Sequence, residues 1–198
     1  MRRFINKLFV MLYLPFLFLV TSCAPTLVDR VRALQEAYNS HNVEKELSFL
    51  TEDVRFEADD GYRWVMNGKQ QWRKNLEWEA TLNGHIMFTD LKVSGDTVTC
   101  KLRQQDDWFK AAGIDALYYE YVQFIFKNGL IKEVRAKYAQ DTAGALKEFD
   151  ASFGKWASEK RSQELAELAP EGELAKENVS KLLTLVREWR EETEKEKQ

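Results

Sequence analysis

"AYNSHNVEKELSFLTEDVRFE", residues 37–57, carries the end of one helix, a turn, a short helix and a strand in quick succession. Asn39-Ser40-His41-Asn42 are turn formers, and Val43 to Leu50 reads as a short helix with Leu47 and Leu50 inward. Val54, Phe56 and Ala58 then alternate with Arg55 and Glu57, the period of a strand with one buried face. Upstream, Thr26 and Asp29 form a T-x-x-D capping box. Leu27, Val31, Leu34 and Tyr38 follow at i, i+4, i+7 and i+11, the stripe of an amphipathic helix.

Downstream, Asp59-Asp60-Gly61 breaks the strand, and Tyr62 to Met66 reads as a short second one closed by Asn67-Gly68. Lys69 to Leu82 is a third helix with Trp72, Leu76 and Ala80 on one face, stopped by Asn83-Gly84. The period then changes to two. His85 to Val93 and Thr97 to about Gln105 pair across Ser94-Gly95-Asp96. Asp106 to Gly113 is a connection, with the carboxylates of Asp106 and Asp107 in water at the edge of the fold. Leu117 to Lys127 and Leu130 to Tyr138 pair across Asn128-Gly129. Helices followed by a meander place the chain in the α+β class.

After Ala139 the composition shifts. Leu146, Phe149, Phe153 and Trp156 lie at helical spacing, and Ala169-Pro170-Glu171-Gly172 interrupts. Ala175, Val179, Leu182, Val186 and Trp189 then recur on a second helix rich in charge. The first tail helix is too apolar to stay in water, and it is expected to dock on the domain as a lid that buries Phe153 and Trp156. The second, with its narrower stripe, is expected to be the mobile or partner-binding element.

At the N-terminus a basic segment precedes an apolar run, Leu8 to Val20, which is interrupted by Pro15. The run is shorter than the roughly 20 residues a spanning helix needs. It has the layout of a secretory signal peptide. Its end, Val20-Thr21-Ser22-Cys23, resembles the bacterial lipobox that precedes cleavage and lipidation at a cysteine. The expected organisation is a signal peptide over 1–22, a folded domain over 23–140 and amphipathic helices over 141–198. The mature chain would sit in the cell envelope, anchored to a membrane on its extracytoplasmic side by lipid on Cys23; two or more acyl chains make a stable anchor. The formal charge of −3 becomes more negative without Arg2, Arg3 and Lys7, which argues against nucleic acid as a partner. With Cys23 committed, Cys100 has no internal disulfide partner. His41 and His85 stand far apart without a second ligand nearby, so neither a metal site nor a cofactor is expected.

The order helix, helix, strand, helix, four strands resembles the nuclear transport factor 2-like superfamily, including its polyketide-cyclase (SnoaL-like) branch. The resemblance rests on residues 37–57, on "YVQFIFKNGLIKEVRAKYAQ" at 121–140 and on "GKQQW" opening the third helix, and it covers about Leu27 to Gln140. It implies a cone: a curved antiparallel sheet packed on N-terminal helices, often with an apolar pocket, here followed by a C-terminal helical extension. Ketosteroid isomerases of this superfamily use a carboxylate base with a tyrosine and a protonated acid as oxyanion hole. Aligned on these motifs, the three positions fall on Ala58, Leu34 and Val122, so that chemistry is not expected here.

Within the cone, Tyr118, Glu120, Val122, Phe124 and Phe126 share one strand parity, which the resemblance turns inward. The expected ligand pocket is Tyr38, Trp64, Tyr118, Glu120 and Tyr138. Glu120 and Asp59 are the candidate catalytic acids or bases, set against the plainer alternatives of a solvated Glu120 and a D-D-G turn. The expected function is non-catalytic binding of a small apolar or amphipathic ligand, or of a protein partner. A cofactor-independent isomerase, dehydratase or hydrolase using Glu120 or Asp59 is the alternative. A third is an assembly module that forms a homodimer or pairs with another protein.

Overall fold

The capping box forms as its spacing demands. In the computed structural model, Thr26 Oγ1 accepts from the Asp29 N–H at 3.1 Å, and the Thr26 N–H donates to Asp29 Oδ2 at 2.9 Å. The structure describes residues 25–58, 64–168 and 176–196; the signal segment, Cys23 and Asp59 lie outside them. Helix α1 (Leu27–Asn39) leads through a turn to α2 (Val43–Leu47), which ends earlier than its pattern suggests because Leu50 opens β1 (Leu50–Ala58). Then come β2 (Trp64–Asn67), α3 (Gly68–Thr81), β3 (His85–Ser94) and β4 (Thr97–Gln105). Helix α4 (Asp107–Ala111) occupies the stretch read as a connection. β5 (Leu117–Lys127) and β6 (Leu130–Tyr138) complete the sheet, and α5 (Gln140–Lys160), α6 (Ser162–Leu168) and α7 (Val179–Glu196) form the tail.

The strand order is β2-β1-β6-β5-β4-β3. The sheet is curved and unclosed, and it is mixed rather than antiparallel throughout. The last strand lies beside the first and runs parallel to it, while every other neighbour is antiparallel. The β5–β6 hairpin turns on Asn128 and Gly129, both at positive φ (52° and 76°). That is the geometry a two-residue hairpin loop requires. Register shifts interrupt the ladders at Cys100/Leu102, at Tyr119/Tyr121 and at Ile125/Phe126. Bulges of this kind bend a sheet and increase its twist.

The β3 edge of the sheet is covered in part by side chains. β3 has no strand on its far side, yet Asn39 of α1 accepts from the Ile86 N–H at 2.8 Å and donates to the Ile86 carbonyl at 2.9 Å. Gln35, one helical turn earlier, accepts from the Phe88 N–H at 2.6 Å. Two amides thus take the place of a neighbouring strand.

Two apolar clusters result. The first lies between the sheet's concave face and α1 and α3, with Phe88 edge-on to Phe124 (5.3 Å) and Phe56 edge-on to Trp72 (5.9 Å). Leu146 near the start of α5 joins it. The second gathers Phe149, Phe153 and Trp156 of α5 against Leu182, Val186 and Trp189 of α7, with Trp108 and Ala111 beside them. Phe149 meets Trp108 and Trp189 at 5.4 Å each. Phe153 and Trp156 are therefore buried, but mainly by the second tail helix rather than by the cone. Helix α7 is their packing partner. Polar links fasten its rim: Trp156 Nε1 and Lys160 Nζ both donate to Glu192, and Arg161 pairs with Glu188.

Removing a large aromatic from a packed cluster costs about 3–5 kcal/mol. Trp189→Ala is accordingly expected to lower the urea midpoint as strongly as a truncation in the cone, such as Phe124→Ala. An unchanged midpoint would show that α7 is not part of the folded unit.

Candidate functional site

The concave face of the sheet, α1 and α3 enclose a cavity of about 90 Å³. Its wall is mostly apolar: Leu34, Leu76, Ile86, Val122 and Val134 from the helices and strands, and the rings of Phe56, Trp72, Phe88 and Phe124. Polar groups converge at one end. They are Tyr38 from α1, Glu46 from α2, Asn75 and Glu79 from α3, Gln104 from β4 and Tyr119 from β5.

Each arrives there for a local reason. Glu79 stands seven residues after Trp72 and three after Leu76, so it lies on the inner stripe of α3. Glu46 is carried on α2, which Asn42 caps by accepting from the Lys45 N–H at 3.0 Å. Tyr38 fits because residue 84 is glycine: a Cβ there would lie 2.6 Å from Tyr38 Oη and 3.1 Å from the Glu79 carbonyl. Gln104 is oriented by Tyr119, whose hydroxyl donates to its Oε1 at 2.9 Å, and it passes its own N–H to Glu79 Oε1 at 3.4 Å.

The carboxyls are held in an environment that disfavours charge. Burial, with the charge of Glu79 as a second cause, pushes Glu46 up to about 8; its one polar contact is Trp72 Nε1 at a long 3.5 Å. Burial likewise pushes Glu79 up to about 7, opposed by the Tyr38 hydroxyl beside it and by the amides of Asn75 and Gln104. Asp106 is 3% exposed rather than solvated, and burial raises it to about 6 although it caps α4 by accepting from the Phe109 N–H at 2.8 Å. Tyr38 Oη lies beside Glu79, close enough for each to shift the other, yet makes no aligned hydrogen bond. A smaller void of about 10 Å³, lined by Tyr38, His41, Glu46 and Glu79 among others, adjoins this end. Its volume is about that of a single water.

Of the site residues expected from sequence, Tyr38 lines the cavity. Tyr138 is buried next to it, its ring 4.5 Å from that of Tyr119. Tyr118 and Glu120 are on the opposite face: Tyr118 is 48% exposed and Glu120 is ion-paired with Lys137. The cause is the register shift between Tyr119 and Tyr121, which inserts one residue and inverts the side-chain alternation. Leu117 and Tyr119 therefore face inward together with Val122, Phe124 and Phe126. The backbone of Trp64 belongs to β2, and Asp59 lies outside the described residues. At the isomerase positions the cone is apolar, with Leu34 and Val122 lining the cavity and Ala58 fully buried.

Folding raises the proton affinity of Glu46 and Glu79, so their contribution to stability is full below 4.5 and is lost progressively as pH rises from there to about 7 and about 8. Glu46→Gln is expected to melt with the wild type at about pH 4 and several degrees above it at about pH 9. A melting-temperature difference that does not change with pH would show Glu46 to be ionised when folded.

No family model matches the chain, and no curated protein matches it in sequence. Solved structures do match in shape. The epoxide hydrolase/cyclase-like enzyme SalBIII, of pyran ring formation in salinomycin, aligns at 17% identity and a TM-score of 0.51, over 59% of this chain and 92% of its own. An NTF2-like protein of unknown function from Cytophaga hutchinsonii aligns at 13% and 0.49, over 60% and 95%. A protein of ketosteroid isomerase-like fold from Catenulispora acidiphila, in complex with trimethylamine, aligns at 16% and 0.49, over 57% and 87%. Over the aligned share of the chain the fold is thus the cone of the epoxide hydrolase/cyclase-like enzyme, and none of the described residues of α5–α7 lines the cavity.

Proposed function

We propose that this protein is a membrane-tethered, extracytoplasmic binding protein whose cone takes up a small amphipathic ligand. The observation that carries the reading is the cavity itself, apolar along its length and polar at one end. Such a site holds the apolar part of a ligand by burial and orients it with a few polar groups. Its volume suits a molecule of few non-hydrogen atoms. The tether rests on the lipobox-like Val20-Thr21-Ser22-Cys23, and the capping box begins three residues after Cys23. That linker spans at most ~10 Å at ~3.5 Å per residue, so the cone would ride close to the headgroups.

A second reading is cofactor-independent proton transfer, and one observation favours it. Glu79, pushed up to about 7 inside an apolar cavity, has the proton affinity of an efficient general base near neutrality. It takes the place of Glu120, which faces outward, as the residue on which such chemistry would rest.

Ligand-observed NMR of the full chain against small fragments is expected to find binders that Val122→Phe and Leu34→Phe each displace by filling the cavity. Binders unaffected by both substitutions would place the site elsewhere. Cys23→Ser is expected to leave unprocessed precursor that takes up no labelled fatty acid, and normal labelling of that variant would remove the tether.

A further inference from the structure

The polar end of the cavity also indicates the charge of its occupant. Glu46 and Glu79 meet there, and the wall contains no lysine, arginine or histidine among the described residues. Glu46 is 5% exposed and lacks a strong partner, its one polar contact being the long one to Trp72 Nε1. Tyr38, 8% exposed, brings a hydroxyl to the same place without an aligned hydrogen bond. The same wall includes ring systems, among them Phe56, Trp72, Phe88 and Phe124. Aromatic faces attract cations through their quadrupole, and carboxylates attract them directly. A buried carboxylate is costly unless paired, and the protein itself supplies no cation to this wall.

We infer that the cavity selects a small organic cation, an ammonium bearing a few methyl or methylene groups, with its charge between Glu46 and Glu79 and its carbon atoms against the rings. The inference rests on the ligand-binding reading above. It has a signature in proton balance. The groups that face this end are Tyr38 from α1, Glu46 from α2, Glu79 from α3, Asp106 before α4 and Tyr119 from β5, while His41 borders the adjoining void. Both tyrosines stay protonated across the neutral range, because burial raises them further. The carboxyls therefore carry the linkage. A cation displaces their protons and binds more tightly as pH rises. A neutral carbonyl ligand would accept from the protonated carboxyls and bind less tightly as pH rises.

The test is calorimetry on the full chain in detergent with tetramethylammonium, whose charge is fixed at every pH, and with tert-butanol, a neutral molecule of similar size. Tetramethylammonium is expected to bind at least ~10-fold more tightly at about pH 8, to release protons, and to lose that preference towards about pH 5. Glu79→Gln and Glu46→Gln should each abolish the pH-dependent preference for the cation over tert-butanol. Binding of tert-butanol without a pH-dependent preference for the cation overturns the inference and leaves the pocket standing. Binding of neither probe overturns the inference and the ligand-binding reading together.

Discussion

The cavity exists because the sheet bends, and the sheet bends where extra residues enter its strands. A regular antiparallel sheet twists but stays open, and its concave side would be too shallow to enclose anything. Here the ladders of β4, β5 and β6 are interrupted at Cys100/Leu102, Tyr119/Tyr121 and Ile125/Phe126. Each interruption re-aims the side chains beyond it as well as curving the strand. The Tyr119/Tyr121 shift does both: it turns Tyr119 into the cavity, where its hydroxyl sets the orientation of Gln104 and so the donor offered to Glu79. A one-residue deletion at this point would flatten the sheet and dismantle the polar end together.

The same shift marks the limit of what the sequence discloses. Strand and helix positions were legible because caps, turn dipeptides and periods of two and 3.6 act locally, as at Thr26–Asp29 and Asn128-Gly129. Parity along β5 was not, because a bulge depends on pairing with distant strands and nothing in "LYYEYVQFIFK" announces it. Plain alternation counted back from Val122 therefore puts Tyr118 and Glu120 inward, where the bulge turns them out. Glu79 was within reach, since it lies on the stripe that carries Trp72 and Leu76; reading that stripe by hydrophobicity alone passed over it. Glu46 had no comparable signal, for its burial follows from where α2 lands against α3. The pairing of α5 with α7 is of the same kind. Both stripes were evident, but which surface each would cover is decided by the tertiary fold.

Those tail helices also bear on the site without touching it. Trp78, on the outer side of α3, packs into the α5–α7 cluster, and Lys176 pairs with Glu77 at 3.6 Å. Helix α3 is thus gripped from outside while its inner stripe presents Trp72, Asn75, Leu76 and Glu79 to the cavity. A helix that carries a buried carboxylate is under constant pressure to swing it towards water. Packing on the far side resists that movement and keeps Glu79 buried, where its proton affinity is raised towards neutrality.

The amides of Gln35 and Asn39 have a consequence for how these molecules can crowd together. An open sheet edge offers a row of unpaired donors and acceptors on which another chain can grow as an extra strand. Along β3 that row is occupied at Ile86 and Phe88 by side chains of the same molecule. Past it, Asp90 adopts a positive φ of 56° and the ladder shifts, so the remaining edge is no longer straight enough to template a partner. Along β3, a second copy would therefore have to displace these side chains before it could add as a strand.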